Sequence, residues 1–291
     1  MQKSISKLWS ILKIPRNISS HDIAKLFHYT HNAKKEKIVR ENDVVFRLSR
    51  VDCFLDKNEG FQILEPYYHA CGQFCEESKG EKKQAFYEML MSIGQQDLLS
   101  SFPGVWVACF SKNGNSSFMK RRYAAGDGWI LGVGFYYLGN LCIDFPVEFG
   151  TINLLEIQYS FNRMVAIIKN ALEKCYKVFE KEENQDFREA LKQNIVQWLG
   201  EYSLIYKSAD YKLEEEIRLV CKFASGFSVW EDAGRGIKIE ASINGYDPVV
   251  ELILDKKYLL CETQEPSTYF DTKLNKTIVT TEEIRKVRCK K

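Results

Sequence analysis

Residues Tyr211-Lys212-Leu213-Glu214-Glu215-Glu216-Ile217-Arg218-Leu219 set two carboxylates and a guanidinium at alternate positions. On a strand, this spacing turns Glu214, Glu216 and Arg218 to one face and Ile217 and Leu219 to the other. A carboxylate so placed can steady a developing positive charge or take a proton from a nucleophile. Arg218 can pair with either carboxylate or with a pyrophosphate. The run fits a helix nearly as well, through Leu213, Ile217, Val220 and Cys221, and as a bare charge run it reads as a solvated face. Two further segments carry reactive side chains. One is Phe27-His28-Tyr29-Thr30; the other runs from Cys109-Phe110-Ser111 through Met119 and Tyr123-Ala124 to Gly128-Trp129-Ile130. Taken singly, each reads as well as core packing.

Other motifs fail on spacing. Gly126, Gly128, Gly132 and Gly134 run along a strand instead of opening a helix, so they do not make a dinucleotide fingerprint. His69, Cys71 and Cys75 offer three metal ligands without a second cluster, and no metal site is expected. There is no phosphate-binding loop, no Gly-x-Ser-x-Gly and no His-Glu-x-x-His.

The elements that must position these residues follow from periodicity. Residues 4–12 suggest an amphipathic helix or arm, and 19–22 a capped turn. Strands are expected at 25–30, 43–48, 105–111, 129–135 and, after a turn at 138–140, 141–145. Residues 82–99 carry helical spacing, and 113–117 carry turn chemistry. From about Asn153 to Leu199 the pattern is a helical hairpin, with Val165, Ile168, Leu172, Cys175, Tyr176 and Phe179 on one stripe. Residues 181–186 form its charged turn, and Phe187, Leu191, Ile195 and Trp198 begin its second helix. Short strands return at 218–223, 236–243, 249–254 and 258–261, before a basic tail from Thr281.

The 291 residues are 45% hydrophobic and 27% charged, enough for a full core without disulfides or metal. Lys and Arg number 41 against 39 Asp and Glu, and a net charge of +2 speaks against a dedicated non-specific nucleic-acid binder. The nine cysteines are odd in number and mostly sit in apolar runs, so reduced thiols in a cytoplasmic protein are expected. Lys7, Lys13 and Arg16 interrupt the N-terminal apolar residues, and no signal peptide is expected. The longest uncharged run, between Asp127 and Asp144, is too short and too rich in glycine to span a membrane.

In order and wording, these segments resemble an uncharacterised bacterial family, domain of unknown function 2971. Its landmarks are His-Tyr-Thr, an acidic turn, Cys-Phe-Ser leading to Met-Trp-x-x-Tyr-Ala and a glycine-led strand, then Glu-x-Glu-x-Arg. Here they are His28-Tyr29-Thr30, Asp56-Lys57-Asn58-Glu59-Gly60, Cys109-Phe110-Ser111, Met119 with Tyr123-Ala124, and Glu214-x-Glu216-x-Arg218. The match covers about residues 25–223. It departs at Lys120, where the family has Trp, at Arg122, where it has His, and at Leu55, where it has Asn.

That family in turn is similar to the ADP-ribosyltransferase-like fold. The resemblance implies an α+β architecture of split antiparallel β-sheets that bind NAD in the cleft between them. It would be one domain over residues 1–291 with the helical hairpin, residues 153–200, inserted. It further implies that His28, with Tyr29 and Thr30 beside it, holds the adenosine-side ribose. Ser111 would support the nicotinamide-ribose pocket, Tyr123 would stack on the nicotinamide, and Arg218 would meet a carboxylate or pyrophosphate. Glu216 would be the catalytic acid, with Glu214 beside it. Cleaving the nicotinamide bond builds an oxocarbenium-like sugar that a fixed carboxylate stabilises, and an aromatic face suits the cationic ring.

The implied function is an NAD-dependent ADP-ribosyltransferase that modifies a protein or nucleic acid, as a toxin or phage-defence effector with an antitoxin or immunity partner. An NAD glycohydrolase, and an inactive nucleotide- or partner-binding module on the same scaffold, are the alternatives. Three expectations follow. His28, Ser111, Tyr123 and Glu216 line one cleft; Glu216→Gln abolishes nicotinamide release with folding intact; and no disulfide forms.

Overall fold

A computed structural model describes residues 23–53, 58–76, 80–124, 128–182, 184–244, 247–264, 269–271 and 276–278. The segments expected at 4–12 and 19–22 and the tail from Thr281 lie outside the described residues. Strand β1 (Lys25–Thr30) leads through helix α1 (Asn32–Ile38) into β2 (Asp43–Arg50). Helices α2 (Leu64–Glu76), α3 (Glu81–Met91) and α4 (Gln95–Leu99) follow. Next come β3 (Val105–Ser111), α5 (Ser117–Tyr123), β4 (Trp129–Gly134), α6 (Phe135–Asp144) and β5 (Gly150–Glu156). The helical hairpin is α7 (Phe161–Phe179) with α8 (Gln185–Ser203). A 3-10 turn (Ala209–Glu214) precedes β6 (Glu216–Phe223), β7 (Val229–Asp232), β8 (Ile237–Asn244), β9 (Asp247–Asp255) and β10 (Leu259–Gln264).

The architecture is α+β, with these strands paired antiparallel. Strand β3 is the junction. Along one edge it ladders with β6 from Val105↔Lys222 to Ser111↔Glu216, and β6 in turn pairs with β5. Along its other edge it meets β1 at Phe27↔Ser111 and β2 at Ser49↔Val107 and Arg50↔Trp106. Strand β1 continues into β4 and β10, while β2 continues into β9, β8 and β7. Two three-stranded units, β5-β6-β3 and β1-β4-β10, are therefore joined through a single residue pair.

Alternation on β3 and β6 divides the core in two. Trp106, Ala108 and Phe110 of β3, with Ile217, Leu219 and Cys221 of β6, pack against Phe46 and Leu48 of β2 and Leu252 and Leu254 of β9. Val105, Val107 and Val220 face the other way, towards the helices. There Val165, Ile168, Leu172, Cys175 and Phe179 of α7 are buried with Tyr67, Ala70, Cys71 and Phe74 of α2. Ser160 caps α7 by accepting from the Arg163 amide at 3.3 Å. Among the described residues no helix is long and apolar enough to cross a membrane.

Three expected elements are corrected. Residues 141–145, expected as a strand, lie mostly in α6, where Phe135, Leu138 and Leu141 recur at helical spacing and are buried. Gly139 costs that helix about 1 kcal/mol of propensity, which burial of its apolar stripe overrides. The hairpin starts at Phe161 and not at Asn153, because residues 153–156 complete β5. The helix expected over 82–99 breaks at Ser92–Gly94, where Asp97 accepts from the Gly94 amide at 2.9 Å and starts a second helix.

Candidate functional site

Glu214 and Glu216 do not share one strand. Glu214 ends the 3-10 turn, Glu216 begins β6, and Glu215 between them takes φ 45°, ψ 47°. That left-handed conformation is unfavourable for a residue with a Cβ and must be held. The Asn113 amide group donates to Glu215 Oε1 at 3.0 Å, and the Lys112 amide donates to the Glu215 carbonyl at 3.0 Å. The kink interrupts the chain between them, and both flanking carboxylates lie inward.

They meet at Lys207. Its Nζ lies 2.6 Å from Glu216 Oε2, 2.8 Å from Glu214 Oε2 and 3.1 Å from Glu59 Oε1. Arg218 donates through Nε to Glu216 Oε1 at 2.7 Å, through one terminal nitrogen to the Leu204 carbonyl at 3.1 Å, and through the other to Glu59. Tyr123 donates to Glu214 Oε1 at 2.8 Å across 91 residues of chain. The Ser111 hydroxyl donates to the Glu214 carbonyl at 2.8 Å, and Tyr159 accepts from the Glu216 amide at 2.9 Å. Arg218 is 0% exposed, Glu214 2% and Glu216 3%.

Burial pushes the Glu216 carboxyl up, but Arg218 and Lys207 outweigh it and hold the group well below the usual carboxylate range. Burial likewise opposes charge on Lys207 and Arg218, and Glu216 reverses it, so both stay cationic. Burial, then Glu214, pushes the Tyr123 phenol up and keeps its proton on oxygen. Buried ion networks are rarely the cheapest way to stabilise a core, since well-packed apolar residues often do as well or better. Their concentration here marks a candidate site.

Of the residues singled out from sequence, Ser111, Tyr123, Glu214, Glu216 and Arg218 come together. His28 does not join them: the expectation of one cleft fails there, and its place on the face opposite Glu216 counts against the transferase-like reading. Phe27, Ser111 and Glu216 stand in register across three strands and so share a face. His28, one residue on, turns to the opposite face, against Phe46 at 5.4 Å and Phe110 at 6.1 Å between ring centroids. Its Nδ1 lies 3.2 Å from the Cys109 carbonyl. A carbonyl only accepts, so that nitrogen carries the hydrogen. Burial lowers the basicity of the ring and favours the neutral form. Tyr29 accepts from the Ser116 amide at 3.2 Å and donates to the Asn113 carbonyl, tying down the loop that holds Glu215. Thr30 is buried, and its carbonyl packs beside Gly128. Tyr29 thus supports the site through the loop that carries Asn113.

Among the described residues the β3 edge at Ala108–Phe110 has no ladder partner on the β1/β2 side, where those strands diverge. Cys109 is exposed there, although its cross-strand partner Arg218 is fully buried. At the rim, the Arg122 guanidinium lies over the Tyr211 ring at 5.2 Å and the Tyr123 ring at 5.6 Å, with Nε 3.9 Å from Glu214.

Lys207, Glu59 and Tyr159 were not recognised from sequence as site residues. The signal for Lys207 was one lysine at the end of the apolar run Leu204-Ile205-Tyr206. Glu59 stood only as part of an acidic turn. His69, the metal-ligand candidate, lies 3.0 Å from the Gln73 amide group and edge-on to Phe161. Comparison of the chain with family models, curated proteins and solved structures finds no match in any of the three.

Proposed function

We propose that the chain is an NAD-cleaving ADP-ribosyltransferase with a protein or nucleic-acid acceptor, and that its reacting carboxylate is Glu214. The observation that carries this is the convergence of Glu59, Tyr123, Glu214, Glu216 and Arg218 on one ion network, from segments up to 159 residues apart. These are the acidic turn, the Tyr-Ala segment and the Glu-x-Glu-x-Arg segment of the resembled family. The junction of β5-β6-β3 with β1-β4-β10 through Phe27↔Ser111 supports an ADP-ribosyltransferase-like arrangement of two small antiparallel sheets.

In this reading the bond from ribose C1′ to the nicotinamide nitrogen breaks, and its electron pair leaves with nicotinamide. Positive charge grows on the sugar and is stabilised by a fixed carboxylate. The acceptor nucleophile then bonds to C1′ and gives up its proton to a base. Glu216 is paired with both buried cations, Arg218 and Lys207, which suits a group that orders the site. Glu214, held by Tyr123 and Lys207, is the one of the two that also reaches half-exposed Arg122 at the rim. Tyr123 is tied to Glu214, so its ring is offered at the rim.

A second reading, a nucleotide-binding module without turnover, is favoured by two observations: the double ion pairing of Glu216, and the placement of His28 on the far face. Incubation with labelled NAD separates the two. The enzyme releases nicotinamide, and Glu214→Gln lowers release about 100-fold while NAD still binds, as for loss of one electrostatic contact to a transition state. The module binds NAD and releases nothing. Wild-type protein that neither binds nor cleaves NAD overturns both.

A further inference from the structure

We propose that Lys207 is the positioning residue of the carboxylate pair: its ammonium, lodged between three glutamates, holds Glu214 and Glu216 at one point and supplies the positive charge that balances them. The inference deepens the NAD-cleaving reading, while its electrostatic half stands without it.

The backbone of Lys207 is stitched in place. Its amide donates to the Gln158 carbonyl at 3.2 Å, and the Gln158 amide donates to the Ile205 carbonyl at 2.6 Å. Gln158 follows β5 and precedes Tyr159, whose hydroxyl accepts from the Glu216 amide. The lysine and the start of β6 are therefore anchored to two consecutive residues, Gln158 and Tyr159. The aliphatic stem is buried with them, and Nζ lies 5.2 Å from the Tyr211 ring centroid.

The charged and titratable groups come from every element around it. Strand β6 brings Glu216 and Arg218, the 3-10 turn brings Glu214 and Tyr211, and the turn after β2 brings Glu59. Helix α5 adds Tyr123 and Arg122, the segment after β5 adds Tyr159, and β3 adds Cys109. Three carboxylates face two buried cations. Without Lys207, Arg218 still pairs with Glu59 and Glu216, and Glu214 keeps Tyr123 and the half-exposed Arg122. Crowded like charges in a dry site take up a proton, and a protonated carboxyl no longer offers full charge to a sugar cation.

The test uses the full chain carrying carboxyl-labelled glutamate, read by carbon NMR between about pH 5 and pH 8. The carboxyl of Glu216 does not titrate in that window in wild type. An additional buried carboxyl titrates in Lys207→Met and none in Lys207→Arg, while Lys212→Met, at an exposed neighbour, behaves as wild type. Nicotinamide release by Lys207→Met falls about tenfold per pH unit below the new titration point, chiefly in kcat. Carboxyls that stay ionised in Lys207→Met, with a pH profile matching wild type, overturn the proposal. Should Lys207→Met not fold, pairing it with Glu216→Gln removes one charge of each sign. Recovery of folding in the double variant supports the clamp, and a double variant as unfolded as the single overturns it. If wild type releases no nicotinamide, the NAD reading falls, and the carboxyl titration alone decides the role of Lys207.

Discussion

Lys207 and Glu216 meet at 2.6 Å with side chains only 6% and 4% exposed, one from the segment after α8 and the other from the first residue of β6. Each charge is tolerable in that setting because the other is there. Glu216 is therefore a structural residue whatever else it does. Glu216→Gln leaves Lys207 and Arg218 short of a counter-charge, and the expected loss is about 3–5 kcal/mol of stability. This revises the expectation that the variant folds unperturbed. A denaturant midpoint within about 1 kcal/mol of wild type would remove the ion pair from the account of the fold.

The same pair sets an acid limit. The carboxyl of Glu216 is depressed in the folded protein and ordinary in the unfolded chain, so the unfolded chain binds its proton first as pH falls. The stabilisation is complete above about pH 4.3, the ordinary glutamate value, and is lost as pH drops through the lower folded value. Urea midpoints followed downward from neutral pH are expected to fall more steeply for wild type than for Glu216→Gln. Parallel curves would show that Glu216 carries no acid-sensitive stability.

Glu215 tests the kink that separates the carboxylates. Its φ of 45° favours glycine, which has no Cβ to crowd the carbonyl. Glu215→Ala and Glu215→Gly both lose the bond from Asn113, so their difference isolates the backbone. The glycine variant is expected to be the more stable by about 1 kcal/mol. Equal stabilities would mean that the left-handed conformation costs nothing there.

Gly128 and Gly72 give opposite outcomes for the same substitution. A Cβ on Gly128 would lie 2.3 Å from the Ala124 carbonyl oxygen and 2.5 Å from that of Thr30, and backbone cannot swing aside as a side chain does. Gly128→Ala is expected to cost about 3 kcal/mol. Gly72, inside α2, has nothing within 4 Å of such a Cβ, and Gly72→Ala should stabilise by about 0.5–1 kcal/mol through helix propensity. Thermal melts of the two variants, shifted in the same direction, would contradict this packing.

Cys71, Cys75, Cys109, Cys142, Cys175, Cys221 and Cys261 are free thiols. Burial pushes Cys71 and Cys175 up to about 12, far from the thiolate form that exchanges with disulfides. Peptide mapping under non-reducing conditions is expected to find none of these seven bridged within the chain. Cys71 joined to Cys75 on α2 is the pairing that would refute it.

Local pattern was enough for much of the scaffold. Val105–Ser111 and Lys25–Thr30 form strands over their expected residues, because a run of apolar and aromatic side chains bounded by turns has few other ways to be buried. The stripes of α7 and α8 were legible for the same reason. The resemblance grouped His28, Ser111, Tyr123 and Glu216, and the fold brings the last three together without His28. Face and partner were another matter. Alternation puts Phe27 and His28 on opposite sides of β1, but which side meets Glu216 depends on the register Phe27↔Ser111↔Glu216, a pairing between segments far apart in the chain. The left-handed Glu215 is equally remote from any local rule, since the bonds that hold it come from Lys112 and Asn113. Lys207 was invisible for a related reason: a lysine becomes worth burying only where carboxylates from the turn after β2, the 3-10 turn and β6 converge on it, and that convergence is a property of the folded chain alone.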